Sequence, residues 1–287
     1  MADRLIQTGT LTDIADAIRA KTGKTATMTP LEMPSEIESI ESGTSITDGI
    51  VFNTLDSSGK PTSVTYYGEI LNTWQFNGNM FGGMWTPLVS VICDGVKRVG
   101  AETFAGLINL QTISGLFSEG LLQFGESCFK GANLPTSITL PSTLESTQGG
   151  NAFQNVTGLE SVVDLHSNRI SSSFFNGCKS LKSYVGERIT QFWGQQQFYG
   201  CSALERVQMG SIGHGVFDIQ YKNTFYGCTN ADLVITYYAK GDYVDRLVSY
   251  TRNGATNATI IIKASEATEY NGTSYAAGDT ILTSEVT

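Results

Sequence analysis

Residues 198–207 read FYGCSALERV, and the same phrase returns at residues 225–234 as FYGCTNADLV. Four related segments precede them, and each of the six begins with a phenylalanine that lies 22 to 27 residues from the next. A repeat of this length is typical of solenoids, in which each copy forms one coil and contacts only its neighbours. We therefore predict a stack of about six coils with a phenylalanine inside each. These repeat-core residues are Phe104, Phe129, Phe153, Phe175, Phe198 and Phe225.

The rest of the motif predicts how each coil is built. After the phenylalanine comes any residue, then Gly or Asn, often Cys, and later a Leu and a Val or Ile that are three residues apart. We expect the glycine to permit a tight turn and the Leu-x-x-Val segment to enter a strand that pairs with adjacent coils. Two copies are irregular, since Leu134 comes one place early and Ala231 stands where leucine is usual. The solenoid is predicted over residues 89–235.

These residues resemble the BspA-like leucine-rich repeat. The segment VKRVGAETF at residues 96–104 leads into one copy as in that family, and SITLPSTLEST at residues 137–147 matches its Leu-Pro strand. The resemblance covers residues 89 to about 235. It implies an α+β fold in which a leucine-rich-repeat β-solenoid carries caps at both ends.

The first 45 residues follow a different pattern and predict a helical anchor and linker. Apolar residues of 10–22 have the spacing of one helical face. A second short helix is predicted within TPLEMPSEIESI at residues 29–40, where Thr29 can cap and Pro30 suits the first helical position. Two such helices bury too little surface to be stable alone, so we expect them to dock on a partner or on copies of themselves. The predicted anchor residues are Leu11, Ile14, Ile18, Leu31, Ile37 and Ile40.

The segment at residues 11–40 is also similar to an amino-terminal segment of structural proteins of tailed bacteriophages, especially tail, baseplate and fibre components. This resemblance implies that the anchor binds other virion proteins and that the chain is located on the virion. It also implies a homo-oligomer, with a trimer favoured because trimers are usual among phage fibres.

The segments that flank the array are predicted to cap it. Residues 46–88 contain GIVFNTLDSSGKPTSVTYYGEI, which predicts two strands around the turn DSSGKP. Residues 236–287 predict a helix at 243–250, a strand at 258–264 and a small hairpin around Asn271 and Gly272. Caps of this kind cover the unpaired edges that an open solenoid would otherwise expose.

Charge and composition exclude several classes of partner. The formal net charge is −9 and no basic stripe is present, which argues against nucleic acid as a partner. The chain has no run of about 20 apolar residues, so we predict no membrane insertion. Its amino terminus also lacks the apolar run of a secretory signal peptide. The five cysteines are an odd number, and we interpret them as buried small hydrophobic residues rather than a disulfide framework.

The sequence gives no support for catalysis. Its two histidines, His166 and His214, lack the neighbours that a zinc site requires, and no cofactor-binding motif is present. Ser211 near His214 is better explained as part of a turn than as a nucleophile and base. We therefore predict a protein that is not an enzyme and uses no metal or cofactor.

A binding surface is the better prospect. By alternation along the chain, the residue after each motif phenylalanine should point away from the interior, and this column becomes aromatic at its carboxyl end. The column is Ala105, Lys130, Gln154, Asn176, Tyr199 and Tyr226. Trp193 and Tyr221 lie nearby in sequence, so Trp193, Tyr199, Tyr221 and Tyr226 form the candidate patch for stacking on sugar rings or for binding a protein. The alternative is that these aromatic residues pack beneath loops or seal the final coil.

Two main hypotheses follow. In the first, the chain is a non-enzymatic phage virion structural protein of the tail-fibre or baseplate type, whose repeat domain binds a bacterial surface glycan or protein. In the second, it is a capsid or neck decoration protein of the head-fibre type with a purely structural role. A secreted bacterial adhesin or a carbohydrate-active enzyme is a third alternative, which the missing signal sequence and the missing catalytic residues disfavour.

Overall fold

The computed structural model describes residues 49–147, 150–166, 168–212 and 223–284. The predicted helical anchor with its six apolar residues lies outside these ranges, as do Tyr221 and His214.

The described chain consists mainly of short strands joined by turns, with one α-helix, α1 (Val244–Arg252), and two 3-10 turns at Phe81–Gly83 and Gly241–Tyr243. The strands are β1 (Gly49–Leu55), β2 (Pro61–Tyr67), β3 (Ile70–Leu71), β4 (Ser90–Asp94), β5 (Arg98–Val99), β6 (Thr112–Ser114), β7 (Gln123–Phe124), β8 (Ser137–Leu140), β9 (Ser146–Thr147), β10 (Ser161–Asp164), β11 (Asn168–Ile170), β12 (Ser183–Gly186), β13 (Ile189–Phe192), β14 (Arg206–Ile212), β15 (Val234–Ala239), β16 (Thr259–Ala264), β17 (Thr268–Tyr270), β18 (Thr273–Tyr275) and β19 (Thr280–Ser284).

Each strand pairs mainly with the strand one coil away, which confirms the predicted β-solenoid. One side of the solenoid is formed by two sheets, β1-β2-β4-β6 and β8-β10-β12-β14-β15-β16-β19. A second side is formed by β3-β5-β7-β9 and by β11-β13, and the turns that carry the phenylalanines form the remaining side. Pairing between coils is parallel, as in β10 with β12, whereas the terminal strands β1 and β19 pair antiparallel.

A continuous stack of aromatic rings runs through the interior. All six repeat-core phenylalanines are buried, and ring centroids of successive members lie 5.0 to 5.6 Å apart. The stack has a seventh member, Phe76, which lies 5.7 Å from Phe104. Phe76 begins an additional coil that the repeat analysis did not recognise, because its unit, FNGNMFGG, lacks the leucine that identifies the others.

Left-handed backbone occurs two places before each of the seven stacked phenylalanines, and two places after each of them except Phe76. Two places after the ring stands a glycine or an asparagine, as at Gly177, where φ is +76°. Two places before it, all seven coils have a residue other than glycine with positive φ, and such residues cost about 1–2 kcal/mol each in this conformation. They are Trp74, Glu102, Ser127, Asn151, Ser173, Gln196 and Asn223.

The predicted elements at the two ends are confirmed. At the start, β1 and β2 form a hairpin whose turn is held by Asp56, since its Oδ1 accepts hydrogen bonds from the backbone N–H of Ser58 at 2.8 Å and Lys60 at 2.9 Å. At the end, α1 is followed by β16, and β17 and β18 form the small hairpin around Asn271. Buried Leu247 packs α1 against the last coils.

The irregular copies behave differently in the fold. Ala231 is exposed and Leu233, two places later, fills the buried position in that coil. Leu134 is buried even though it comes early, but the strand that follows it, β8, does not pair with β6 of the preceding coil. The long side of the solenoid is therefore divided into two sheets at this point.

Candidate recognition surface

Two tyrosines on adjacent coils form an aromatic pair on the turn side of the solenoid. Tyr199 and Tyr226 each follow a stacked phenylalanine, and their ring centroids lie 5.3 Å apart with an angle of 21° between the planes. Tyr226 is 52% exposed and Tyr199 is half-buried. The backbone holds them in register, because the N–H of Gly200 donates to the carbonyl of Tyr226 at 2.7 Å. The structure thus brings together two of the four residues of the candidate patch.

The same column is polar towards the amino terminus. Lys130 is exposed, and Gln154 and Asn176 are half-buried. Ala105 is buried, unlike the other members of the column. The aromatic character of the column is therefore confined to its carboxyl end.

Trp193 has its own partner. It follows β13 and is 53% exposed, and the guanidinium carbon of Arg169 lies 3.8 Å from its ring centroid. Arg169 belongs to β11, one coil earlier, so this is a cation–π contact between coils. Trp193 was predicted from its sequence neighbourhood, but the arginine that covers one face of its ring was not.

Other aromatic residues near the carboxyl end pack in the interior, in agreement with the alternative that aromatic residues there seal the final coil. Phe192 and Tyr237 are fully buried, and the hydroxyl of Tyr237 lies 2.8 Å from Oγ1 of Thr251 on α1. Burial raises the pKa of Tyr237 far above its usual range. These two residues seal the last coils, in contrast to the exposed ring of Tyr226.

A buried polar network in the middle of the solenoid was missed by the sequence analysis. Tyr184 donates its hydroxyl hydrogen to Oδ2 of Asp164 at 2.7 Å, and Nδ1 of His166 contacts Oδ1 of the same carboxylate. Nε2 of His166 lies 3.0 Å from the carbonyl oxygen of Arg169. All three side chains are buried. The network joins two coils, because Tyr184 belongs to the coil after Asp164, and pairing of this kind leaves no signal at a fixed spacing in the sequence.

The network determines the protonation of His166. Burial lowers the pKa of the imidazole, but the hydrogen bond and the negative charge of Asp164 raise it by more, so the pKa stands above its ordinary value. Both ring nitrogens face oxygen atoms, which suits the doubly protonated ring. Burial also raises the pKa of Tyr184 well above its usual range, so its hydroxyl remains a donor.

The cysteines are buried and free, as predicted. Burial raises the pKa of Cys178 and of Cys228 to about 12. Their thiols donate to backbone carbonyls of the preceding coil, from Cys178 to Phe153 at 2.9 Å and from Cys228 to Phe198 at 3.1 Å. Within the described ranges, no cluster of three His, Cys, Asp or Glu side chains could hold a metal ion. None of the helices in that part of the chain has the length and apolar character needed to cross a membrane.

Comparison with known proteins identifies the repeat. The family model described as BspA type leucine rich repeat region matches residues 79–205 and 149–239 in six copies, and these stretches together span more than half of the chain. No curated protein is significantly similar to the chain.

Two solved structures align with most of the chain at low sequence identity. One is a leucine-rich repeat protein from Bacteroides ovatus ATCC 8483, which is 13% identical, with 76% of this chain and 99% of that chain aligned at a TM-score of 0.21. The other is a leucine rich cell surface protein from Faecalibacterium prausnitzii A2-165, which is 12% identical, with 80% of this chain and 95% of that chain aligned at a TM-score of 0.22. Superpositions with scores this low add no detail to the site.

Proposed function

The chain belongs to the BspA type leucine-rich repeat family, and from that premise we propose that it is a non-enzymatic recognition protein whose turn side binds a ligand on a bacterial surface. The observation that carries the proposal is the pair of Tyr199 and Tyr226, which are stacked across two coils with one ring mainly exposed.

The exposed ring of Tyr226 is not needed to stabilise its coil. A solenoid coil is stabilised by its interior, and the polar residues at Lys130, Gln154 and Asn176 indicate that the column position itself does not require a tyrosine. Tyrosine offers a flat apolar face and a hydroxyl at a low cost in side-chain entropy, which suits stacking on a sugar ring or packing in a protein interface. We propose a surface glycan as the ligand and a surface protein as the alternative.

Binding of the fluorescently labelled full chain to intact bacterial cells tests the proposal. Tyr226→Ala should weaken saturable binding by about 2 kcal/mol, or roughly thirtyfold, as expected for an aromatic anchor. Lys130→Ala is a matched control, because it removes an exposed side chain from the same column four coils earlier, and it should leave binding nearly unchanged. Equal binding by the two variants, with both folded, would refute a recognition role for the tyrosine pair.

We further propose that the protein is displayed on a bacteriophage particle, with the segment at residues 1–45 attached to other virion proteins and the chain forming a homo-oligomer. The support is the resemblance of residues 11–40 to an amino-terminal segment of phage structural proteins. Immunogold labelling of purified particles distinguishes the alternatives: label at the tail tip supports a tail-fibre or baseplate protein, and label at the capsid or neck supports a decoration protein. Particles that carry no label would refute both.

A further inference from the structure

The long side of the solenoid has a gap between two consecutive coils. Nearly all Cα–Cα distances between β6 and β8 exceed 8 Å, whereas hydrogen-bonded strands lie about 4.8 Å apart. At every other step along this side, in the described part of the chain, successive strands are hydrogen-bonded. We call the space between Thr112–Ser114 and Ser137–Leu140 the seam. One additional strand between two walls requires them to lie about 10 Å apart, which is two strand spacings.

Backbone groups face the seam from both walls. One coil later, the N–H groups of Glu160 and Ser161 both donate to the carbonyl of Thr136, at 2.8 and 2.9 Å. The equivalent donors at the seam, Thr136 and Ser137, make no backbone bond to the β6 coil. Because N–H and C=O groups in a parallel ladder point to alternate sides from residue to residue, Thr139 also points into the seam.

The residues of the two walls are exposed to an unusual degree. Thr112 and Ser114 on β6, and Ser137 and Thr139 on β8, are all exposed. Ile113, which points towards the interior, is only half-buried, although the corresponding residues of the neighbouring coils are buried. Those residues are Val91, Ile138 and Val162. Within the described residues, the seam therefore has polar walls whose strands do not pair with each other, and an apolar floor.

The cause of the seam is local, and the rest of the two coils remains joined. Asn133 ties the turns together, since its N–H donates to the carbonyl of Leu107 at 3.0 Å and its side-chain amide to that of Leu110 at 2.6 Å. The copy is then one residue short before Leu134, and the next residue is a proline without an N–H. On the second side, β7 pairs with both β5 and β9. The two coils are thus joined at the turn and on the second side, and the missing pairing is confined to the step from β6 to β8.

We propose that the seam binds an extended peptide segment of a partner protein, which adds one strand between β6 and β8. The inserted strand pairs its backbone with Ile113 on one wall and with Ser137 and Thr139 on the other. Its inward-facing residue is apolar, to cover the half-buried Ile113, and the residues on either side are polar. A second copy of the solenoid does not fit, because its strands are tied to neighbours on both sides and a gap of one strand admits only a free segment. This site lies on the strand side and does not rest on the proposed role of the tyrosine pair.

Amide hydrogen exchange of the full chain tests the proposal, with acetyl-ESVVDL-amide as the probe peptide. This is the sequence of residues 160–165, the strand that pairs with β8 on its other side. In the free protein, the amides of Ser137 and Thr139 should exchange rapidly while that of Ser161 is protected. A peptide concentration about nine times the Kd should slow the first two about tenfold. Protection of these amides in the free protein, or no slowing up to the solubility limit of the peptide, would overturn the proposal.

A variant separates backbone pairing from nonspecific association. Thr139→Pro removes a donor that faces the seam and leaves the ladder between β8 and β10 in place, so it should weaken peptide binding at least tenfold. Thr139→Val, which keeps the backbone N–H, is the matched control and should bind like the parent chain. A peptide N-methylated at both valines tests the same hydrogen bonds from the other side, even if the proline variant does not fold. Undiminished binding of the N-methylated peptide, or of a folded proline variant, would contradict strand addition.

Discussion

Replacing Phe153 by alanine should lower the free energy of unfolding by about 4–5 kcal/mol, which is the upper end of the range for a buried Phe→Ala change. Phe153 is fully buried and contacts four other rings. It stacks between Phe129 at 5.0 Å and Phe175 at 5.4 Å, and it meets Phe124 and Phe174 edge-on at 5.8 and 5.1 Å. Each aromatic pair adds about 0.5–1.5 kcal/mol beyond area burial, and the rigid coils on both sides limit collapse around the cavity.

Replacing Phe225 by alanine should lower the free energy of unfolding by less than replacing Phe153. Phe225 stacks on Phe198 at 5.4 Å and meets Phe192 edge-on at 6.1 Å, so it has half as many ring contacts and should cost about 3 kcal/mol. Urea denaturation measures both values when it is followed by circular dichroism and by tryptophan fluorescence, since Trp74 and Trp85 lie towards one end and Trp193 towards the other. A cost below about 2 kcal/mol for Phe153→Ala, or a larger cost for Phe225→Ala, would refute the stack as the main source of stability.

Three further outcomes are expected. Gly200→Ala should lower stability by about 1 kcal/mol, because φ is +70° but the new methyl group has room. Gly115→Ala should cost more in thermal unfolding, because φ is +77° and its Cβ would lie 2.1 Å from the backbone carbonyl oxygen of Cys93. Equal losses would contradict the crowding argument. The pKa of His166 is raised in the folded state. Its contribution to the free energy of unfolding is therefore complete below the pKa of the unfolded chain, about 6.5, and is lost as pH rises through the pKa of the folded chain. Urea titrations across that range should therefore show a fall in stability that His166→Gln flattens, and an unchanged fall in the variant would show that other groups cause it. All five cysteines are buried, and burial raises the pKa of each thiol. A thiol reagent at pH 8 should therefore modify them only after denaturation, and rapid modification of the native chain would show that the coils open.

The regular spacing of the repeats predicted much of the fold, because every coil buries the same kinds of side chain at equivalent positions. A phenylalanine followed two places later by a residue that tolerates left-handed backbone is sufficient to identify most turns. Phe76 escaped because its coil keeps the ring and the glycine but replaces the leucine by Gly82 in a longer loop. Repetition makes regular coils visible in the sequence, and an irregular coil at the end is recognised only from the ring it stacks on.

The sites were less predictable than the fold, since they depend on contacts between coils rather than on spacing within one. The column through Tyr199 and Tyr226 followed from the period, but the partnership of Trp193 with Arg169 did not. The early position of Leu134 was visible in the sequence, yet its effect on strand pairing depends on how far the turn at Asn133 fixes the chain. A shift of one residue can be absorbed by a loop or can interrupt a ladder, and only the three-dimensional arrangement distinguishes the two outcomes.

The antiparallel strands β1 and β19 determine how such a molecule can change length. Because each closes its end of a ladder with a strand of opposite direction, a further coil outside either one would pair antiparallel and would not continue the parallel ladder. A coil of 22 to 27 residues copied between two existing coils would meet parallel neighbours on both faces and extend the molecule by about 4.8 Å. The length of the solenoid can thus be changed in uniform increments by duplication within the gene, while both terminal segments stay unchanged.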